Sequence, residues 1–308
     1  MKQTLVLLLI ITSFSYGQTK YDSFDKLISE ANNLRTDEIY EQAIVKYKNA
    51  LEILTPNSST SFFNLAECAL KIEDISLADK WIRKGISEGG AQMEYLRKYK
   101  GFSDIQNEEF YQNIINDYNS LRQQYFSTIK NIDIYLEIEK LTARDQFVRK
   151  IDDYINGRTD EDITNAMKQL KIAQKENDSV NIKKYMNLIF PKPNKEYKKL
   201  QYELMRKIDS LNIERLMEIT KENGWQERAW IILWHQRGIY GKDNYVWNYF
   251  KPIIDKEIEE GKLSRNFWNS FKMHQKLNKL MKKGDFKSIL VDEKPKKEIN
   301  IKKGKMKG

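Results

Sequence analysis

Small and apolar side chains recur along the first hundred residues at an offset of 35. Ala31, Tyr40, Ala43, Tyr47 and Ala50 return as Ala66, Ile75, Ala78, Ile82 and Gly85. Steps of three and four between them are the helical period, and small residues returning to small ones predict stacked helical hairpins. In the first hairpin Ala31 and Leu34 mark one helix. Tyr40, Ala43, Tyr47 and Ala50 mark the next, which ends before Pro56. Asp37 is the expected cap of that second helix, with Glu41 in its first turn. Gly89-Gly90 closes the second hairpin. Phe110, Ile114, Ile115, Tyr118 and Leu121 predict a long amphipathic helix closing the stack, its end sealed by Tyr95, Tyr99 and Phe102.

Beyond residue 130 the pattern stays helical, without strand-like alternation, so the fold class expected is all-α. Leu141, Phe147, Val148, Ile151 and Ile155 mark one helix, ended by Asn156-Gly157. Pro191 and Pro193 mark a break. Leu200, Leu204, Ile208 and Leu211 predict a helix from about Lys195 to Glu222, stopped by Asn223-Gly224. Five of the six tryptophans follow within 44 residues: Trp225, Trp230, Trp234, Trp247 and Trp268. The segment RAWIILWHQRG is apolar nearly all round and reads as one buried helix. Gly238 would cap it, with His235 and Arg237 in its last turn, where cations complement free carbonyls.

Charge and the chain ends add a compartment. Lys2, the apolar run Leu5 to Ile11 and the small residues up to Gly17 have the three parts of a secretory signal peptide. The run is short of the roughly 20 apolar residues that span a membrane. The expectation is an exported bacterial protein, periplasmic or extracellular, with no transmembrane segment in the mature chain. Cys68, the only cysteine, permits no intrachain disulfide and is expected to be buried and inert. The net charge of +9 belongs entirely to residues 272–308, where thirteen lysines face four acids. The division expected is a signal peptide at 1–17, repeats with a capping helix at 18–128, a tryptophan-rich domain at 129–290 and a disordered lysine-rich tail at 291–308. The tail is either a solvating appendage or a tether to an anionic surface. No tryptophan or tyrosine interleaves with its lysines, which argues against nucleic acid.

The 35-residue pattern resembles tetratricopeptide repeats, carried by SEANNLRTDEIYEQAIVKYKNALEILTPN and FFNLAECALKIEDISLADKWIRKGISEGG. That resemblance implies a short solenoid that binds other chains, with Tyr40 and Tyr47 as candidate contact residues. The second half resembles a family of uncharacterised domains that follow helical repeats in exported bacterial proteins. The resemblance is carried by RDQFVR (Arg144 to Arg149), DSLNIERLMEITKENGW (Asp209 to Trp225), AWIILWHQ (Ala229 to Gln236) and the helix with Pro252, Ile254, Glu257 and Gly261. It names a domain and no reaction.

Little else carries chemistry. With two histidines and one cysteine, no metal-ligand spacing exists, and neither a metal nor a cofactor is expected. No phosphate-binding glycine loop or G-x-S-x-G elbow is present. The candidate constellation is His235 as general acid or base, Asp145 orienting it, with Arg149 and Arg237 nearby. The alternative is an ordinary Asp145–Arg149 helix pair and a packing histidine. Trp225, Trp234 and Trp247 are candidate binding platforms or, alternatively, core. Three functions follow: a scaffold for a protein or peptide partner in the cell envelope, a hydrolase or transferase using His235, and a glycan- or wall-binding module.

Overall fold

A computed structural model describes residues 19–155, 157–190 and 195–282. The expected signal peptide, Asn156, the Pro191 and Pro193 break and the lysine-rich tail lie outside them. The fold is all-α, and the described residues contain no strand. The first half comprises α1 (Lys20–Thr36), α2 (Tyr40–Ile53), α3 (Thr60–Lys71), α4 (Ile75–Ser87), α5 (Met93–Lys98) and α6 (Glu109–Ser127). The second comprises α7 (Ile132–Ile155), α8 (Asp160–Lys175), α9 (Ser179–Ile189), α10 (Lys195–Asn223), α11 (Trp230–Trp234), α12 (Tyr245–Glu259) and α13 (Asn269–Lys282).

Helices α1 and α2 form one hairpin, α3 and α4 the next, and α2 packs on α3. The small residues do what their spacing predicts. Ala31, Ala43, Ala50, Ala66 and Ala78 are fully buried where helices approach closely. The two turns are the same turn 35 residues apart. Glu38 and Glu73 both take φ near +60°, and the amides of Ile39 and Asp74 reach back to the carbonyls of Leu34 and Ala69 at 2.8 and 2.9 Å. This left-handed helix stop is usually glycine's. One expectation is corrected: Asp37 terminates α1, and α2 has Ile39 as its N-cap, without a side-chain cap. In the second hairpin Asp74 does cap, accepting from the Leu77 amide at 2.9 Å.

α6 packs against α4 and closes this half. Phe63 meets Tyr95, Tyr99 and Phe102 with ring centroids 5.1–5.5 Å apart, which is the aromatic seal. A polar chain that periodicity does not reveal ties the hairpins together. Tyr47 donates to Asn32 at 2.6 Å, Asn64 donates to Asn32 at 3.2 Å, and Arg35 pairs with Glu67 at 2.9 Å. The Tyr99 hydroxyl lies 2.7 Å from Asn64 and 2.8 Å from Glu67.

The second half is built on the antiparallel pair α7 and α10, with α11 and α12 against α10. Its core gathers Ile213, Leu216, Ile219, Leu233, Trp247, Phe250 and Phe271, separately from the first core. α8 and α9 form a third hairpin, which apolar spacing did not predict. Its turn repeats the first two: Asn177 has φ 55° and the Asp178 amide reaches Ala173 at 2.9 Å. RAWIILWHQRG is also corrected. It is two 3-10 turns, Glu227–Ala229 and Arg237–Ile239, around the five-residue α11, and Gly238 is exposed inside the second turn rather than capping a helix.

Candidate functional site

Asp145 lies on the face of α7 turned toward α10 and α11. It is 1% exposed, and a buried carboxylate needs compensating donors. Arg149, one turn on, pairs with Oδ1 at 2.9 Å, and His235 Nδ1 straddles the carboxylate, hydrogen-bonded to Oδ1 at 3.0 Å and 2.8 Å from Oδ2. Gln146 Nε2 donates to Oδ2 at 2.8 Å. Arg149 also reaches Asp209 on α10 at 2.7 Å. Arg144, immediately before Asp145, donates from Nε to Asn212 at 3.0 Å, while Asn212 donates to the Leu141 carbonyl at 3.2 Å. The three short segments RDQFVR, DSLNIERLMEITKENGW and AWIILWHQ, apart in sequence, thus meet in one polar network.

His235 follows α11 as its C-terminal cap, which holds its ring against Asp145. With Nδ1 so engaged, Nε2 has no hydrogen-bond partner among the described residues. A buried carboxylate on Nδ1 selects the tautomer and orients the ring, which is what a general base requires. Arg237 donates to the Trp234 carbonyl at 3.1 Å, fulfilling the expected cation at a helix end. Its guanidinium lies 4.7 Å from the Trp234 ring centre. Burial, then repulsion from Arg149, lowers the Arg237 pKa from its usual value. The same pattern lowers His274, through burial and then Arg237. His274 contacts Trp234 edge-on at 5.7 Å, so both histidines flank that tryptophan. Asp209, Asn212 and His274 were not anticipated; each becomes relevant only through a neighbour distant in sequence.

The binding candidates divide. Tyr47 is fully buried and Trp247 is 4% exposed, so both are core residues, correcting their expected role at a surface. Tyr40 is half-buried at the start of α2. Trp225 is half-buried and packs edge-on against Phe250 and Phe267. Trp234 stacks on Trp230 at 5.2 Å and carries Arg237, leaving little ring for a sugar. No trio of potential metal ligands occurs among the described residues.

A second feature lies between the halves. A cleft of about 480 Å³ is walled by Thr55 and Asn57 from the link between the first two hairpins, by residues between Tyr125 and Ile138 across the α6–α7 junction, and by Asn223 and Gln226 to Arg228. Arg228 braces it, bound to Glu139 at 2.6 Å and lying 4.9 Å from the Tyr135 ring centre. Ile129, Ile134 and Tyr135 give it apolar walls, and Asn57, Asn131 and Gln226 give it hydrogen-bonding groups. Asn57 donates to Glu227 across the junction at 2.6 Å.

No protein-family model, curated protein or solved structure matches the chain.

Proposed function

We propose that this is an exported interaction protein of the bacterial envelope, in which tetratricopeptide-like hairpins and the tryptophan-rich half together hold an extended segment of a partner protein. The observation that carries this reading is the cleft at their junction, about 480 Å³ with mixed apolar and amide walls. That volume and lining suit a few side chains plus a stretch of main chain. The test is selection of binders from a random peptide library on the chain from Gln18 to Gly308. Selected peptides should lose at least about tenfold in affinity to Ile134→Glu, since a carboxylate replaces apolar wall. Peptides indifferent to that substitution, or no selection at all, would refute the cleft as the site.

One observation favours a second reading, acid–base catalysis by His235: the 2.8 Å contact of Nδ1 with a buried Asp145 while Nε2 has no partner among the described residues. This reading predicts that His235→Gln, with melting temperature unchanged, reproduces the phenotype of the deleted gene. A wild-type phenotype in that strain would sink it.

A further inference from the structure

Large apolar side chains left in solvent are concentrated in one stretch of the chain. Among the described residues nineteen are exposed, and ten of these lie between Met167 and Leu211. Scattered singly, such residues need no explanation, but a cluster marks an interaction surface. The clearest case is α9. Ile182, Tyr185 and Ile189 turn inward at helical spacing, toward α8. The outward face carries Val180, Lys184 and Leu188 in one row, with Lys183 and Phe190 in the adjoining row. Val180 is 76% exposed and Phe190 63%.

The formal charges on α9 itself have one sign, although Asp178 caps its start and acids open α8. From Ser179 to Lys195 the sequence contains lysines and no acid. On α8 the outward row is Lys168, Lys171 and Lys175, beside exposed Met167 and Ile172. None of these five hairpin lysines forms an ion pair among the described residues. Lysines elsewhere do: Lys46 with Glu30, Lys84 with Glu88, Lys98 with Glu94. Lys184 instead lies 5.3 Å from the Tyr185 ring centre.

We infer that the outward face of α9 is a docking surface for an anionic phospholipid bilayer. Valine, leucine and phenylalanine would enter the headgroup boundary, and Lys183 and Lys184 would meet lipid phosphates. A second copy of the chain fits poorly, because a two-fold contact through α9 sets this lysine-bearing face against itself. The surface is distinct from the cleft and from the lysine-rich tail.

The test is co-sedimentation of the chain from Gln18 to Gly308 with vesicles of phosphatidylglycerol and phosphatidylethanolamine, against vesicles of phosphatidylcholine. Binding should favour the anionic vesicles and weaken with salt. Lys183→Glu with Lys184→Glu should reduce it at least about thirtyfold, at about 1 kcal/mol for each lysine near the surface. Val180→Ser with Phe190→Ser should also reduce it, with helical content and melting unchanged in both variants. Four results would overturn the inference. One is absence of vesicle binding. Another is binding that ignores all four substitutions and disappears when Lys296, Lys297, Lys302 and Lys303 become glutamate. A third is sedimentation showing a dimer that the same α9 substitutions dissolve. The last is capture of polyglutamate in preference to vesicles, which would place an acidic protein there.

Discussion

Asp145 concentrates several jobs in one side chain. It joins α7 to the end of α11 through His235 and neutralises Arg149, all with 1% of its surface exposed. Removing the carboxylate strands the His235 imidazole in a partly buried position and leaves the Arg149 guanidinium with Asp209 alone. Asp145→Ala should therefore cost about 3 kcal/mol, read as a shift in urea midpoint, because breaking a buried pair exceeds the worth of the pair itself. Asp145→Asn should cost less, since the amide oxygen still accepts. Cys68 offers a second residue-level check. It is fully buried on α3, and burial pushes its thiol up to about 12. A thiol-specific reagent at pH 8 should leave the folded chain unlabelled and label it in urea, as only thiolate reacts. The sequence made Asp145 and His235 legible as types, one on an amphipathic helix and one in a tryptophan-rich run. Their 2.8 Å contact spans 90 positions, which no local pattern encodes.

At the level of elements, the repeat makes opposite predictions for two kinds of substitution. Gly85 stands where the first hairpin has Ala50, yet a Cβ there would sit 2.5 Å from Phe63 Cε1 and 3.3 Å from Phe62 Cβ. Phe63 has taken the room. Gly85→Ala should lower stability by about 1–3 kcal/mol in urea unfolding, the usual cost of overpacking. Glu73, held at φ 61°, is strained for a residue with a Cβ. Glu73→Gly should raise stability by about 0.5–1 kcal/mol in the same assay, after allowing for glycine's greater unfolded entropy. The α1–α4 hairpins were readable because small residues mark every close helix approach. The α8–α9 hairpin was not, because only Ala166, Ala173 and Ile189 are buried in it, too few to stand out against so many exposed apolar neighbours. The tryptophan run misled for another reason. Its apolar residues fill the second core from short turns, which a core permits wherever neighbouring helices supply the packing.

For the whole molecule, the two halves meet through polar contacts, including Arg228 with Tyr125, Asn57 with Glu227, and Asp25 with Ser264 and Asn266. Stability against pH follows from groups spread over both halves. Glu137 is lowered by its bond from Arg215, Asp160 by Lys150 and then Lys98, and Asp178 by the Asn181 amide. The unfolded chain binds protons first near pH 4, so stability from these groups is full above that and falls as pH drops through their folded values. Burial raises Cys68 and Tyr21, each to about 12, and also raises Tyr47 and Tyr99. Their unfolded forms ionise from about pH 8.5 upward, so that stability is full below and declines above. Urea unfolding across pH should show a plateau from about 5 to 8 with losses on both sides; a maximum outside that window would contradict the assignment. Sequence alone determined what depends on neighbours a few positions apart: helix period, the glycine stops at Gly157 and Gly224, and the 35-residue hairpin with its small residues. Tertiary structure alone decided which carboxylate meets His235, that Tyr47 and Trp247 are core, that a cleft opens between the halves, and that α9 keeps its lysines and apolar residues in solvent. Those outcomes depend on side chains brought together from distant segments, and burial, pairing and cavity shape exist only once the helices have packed.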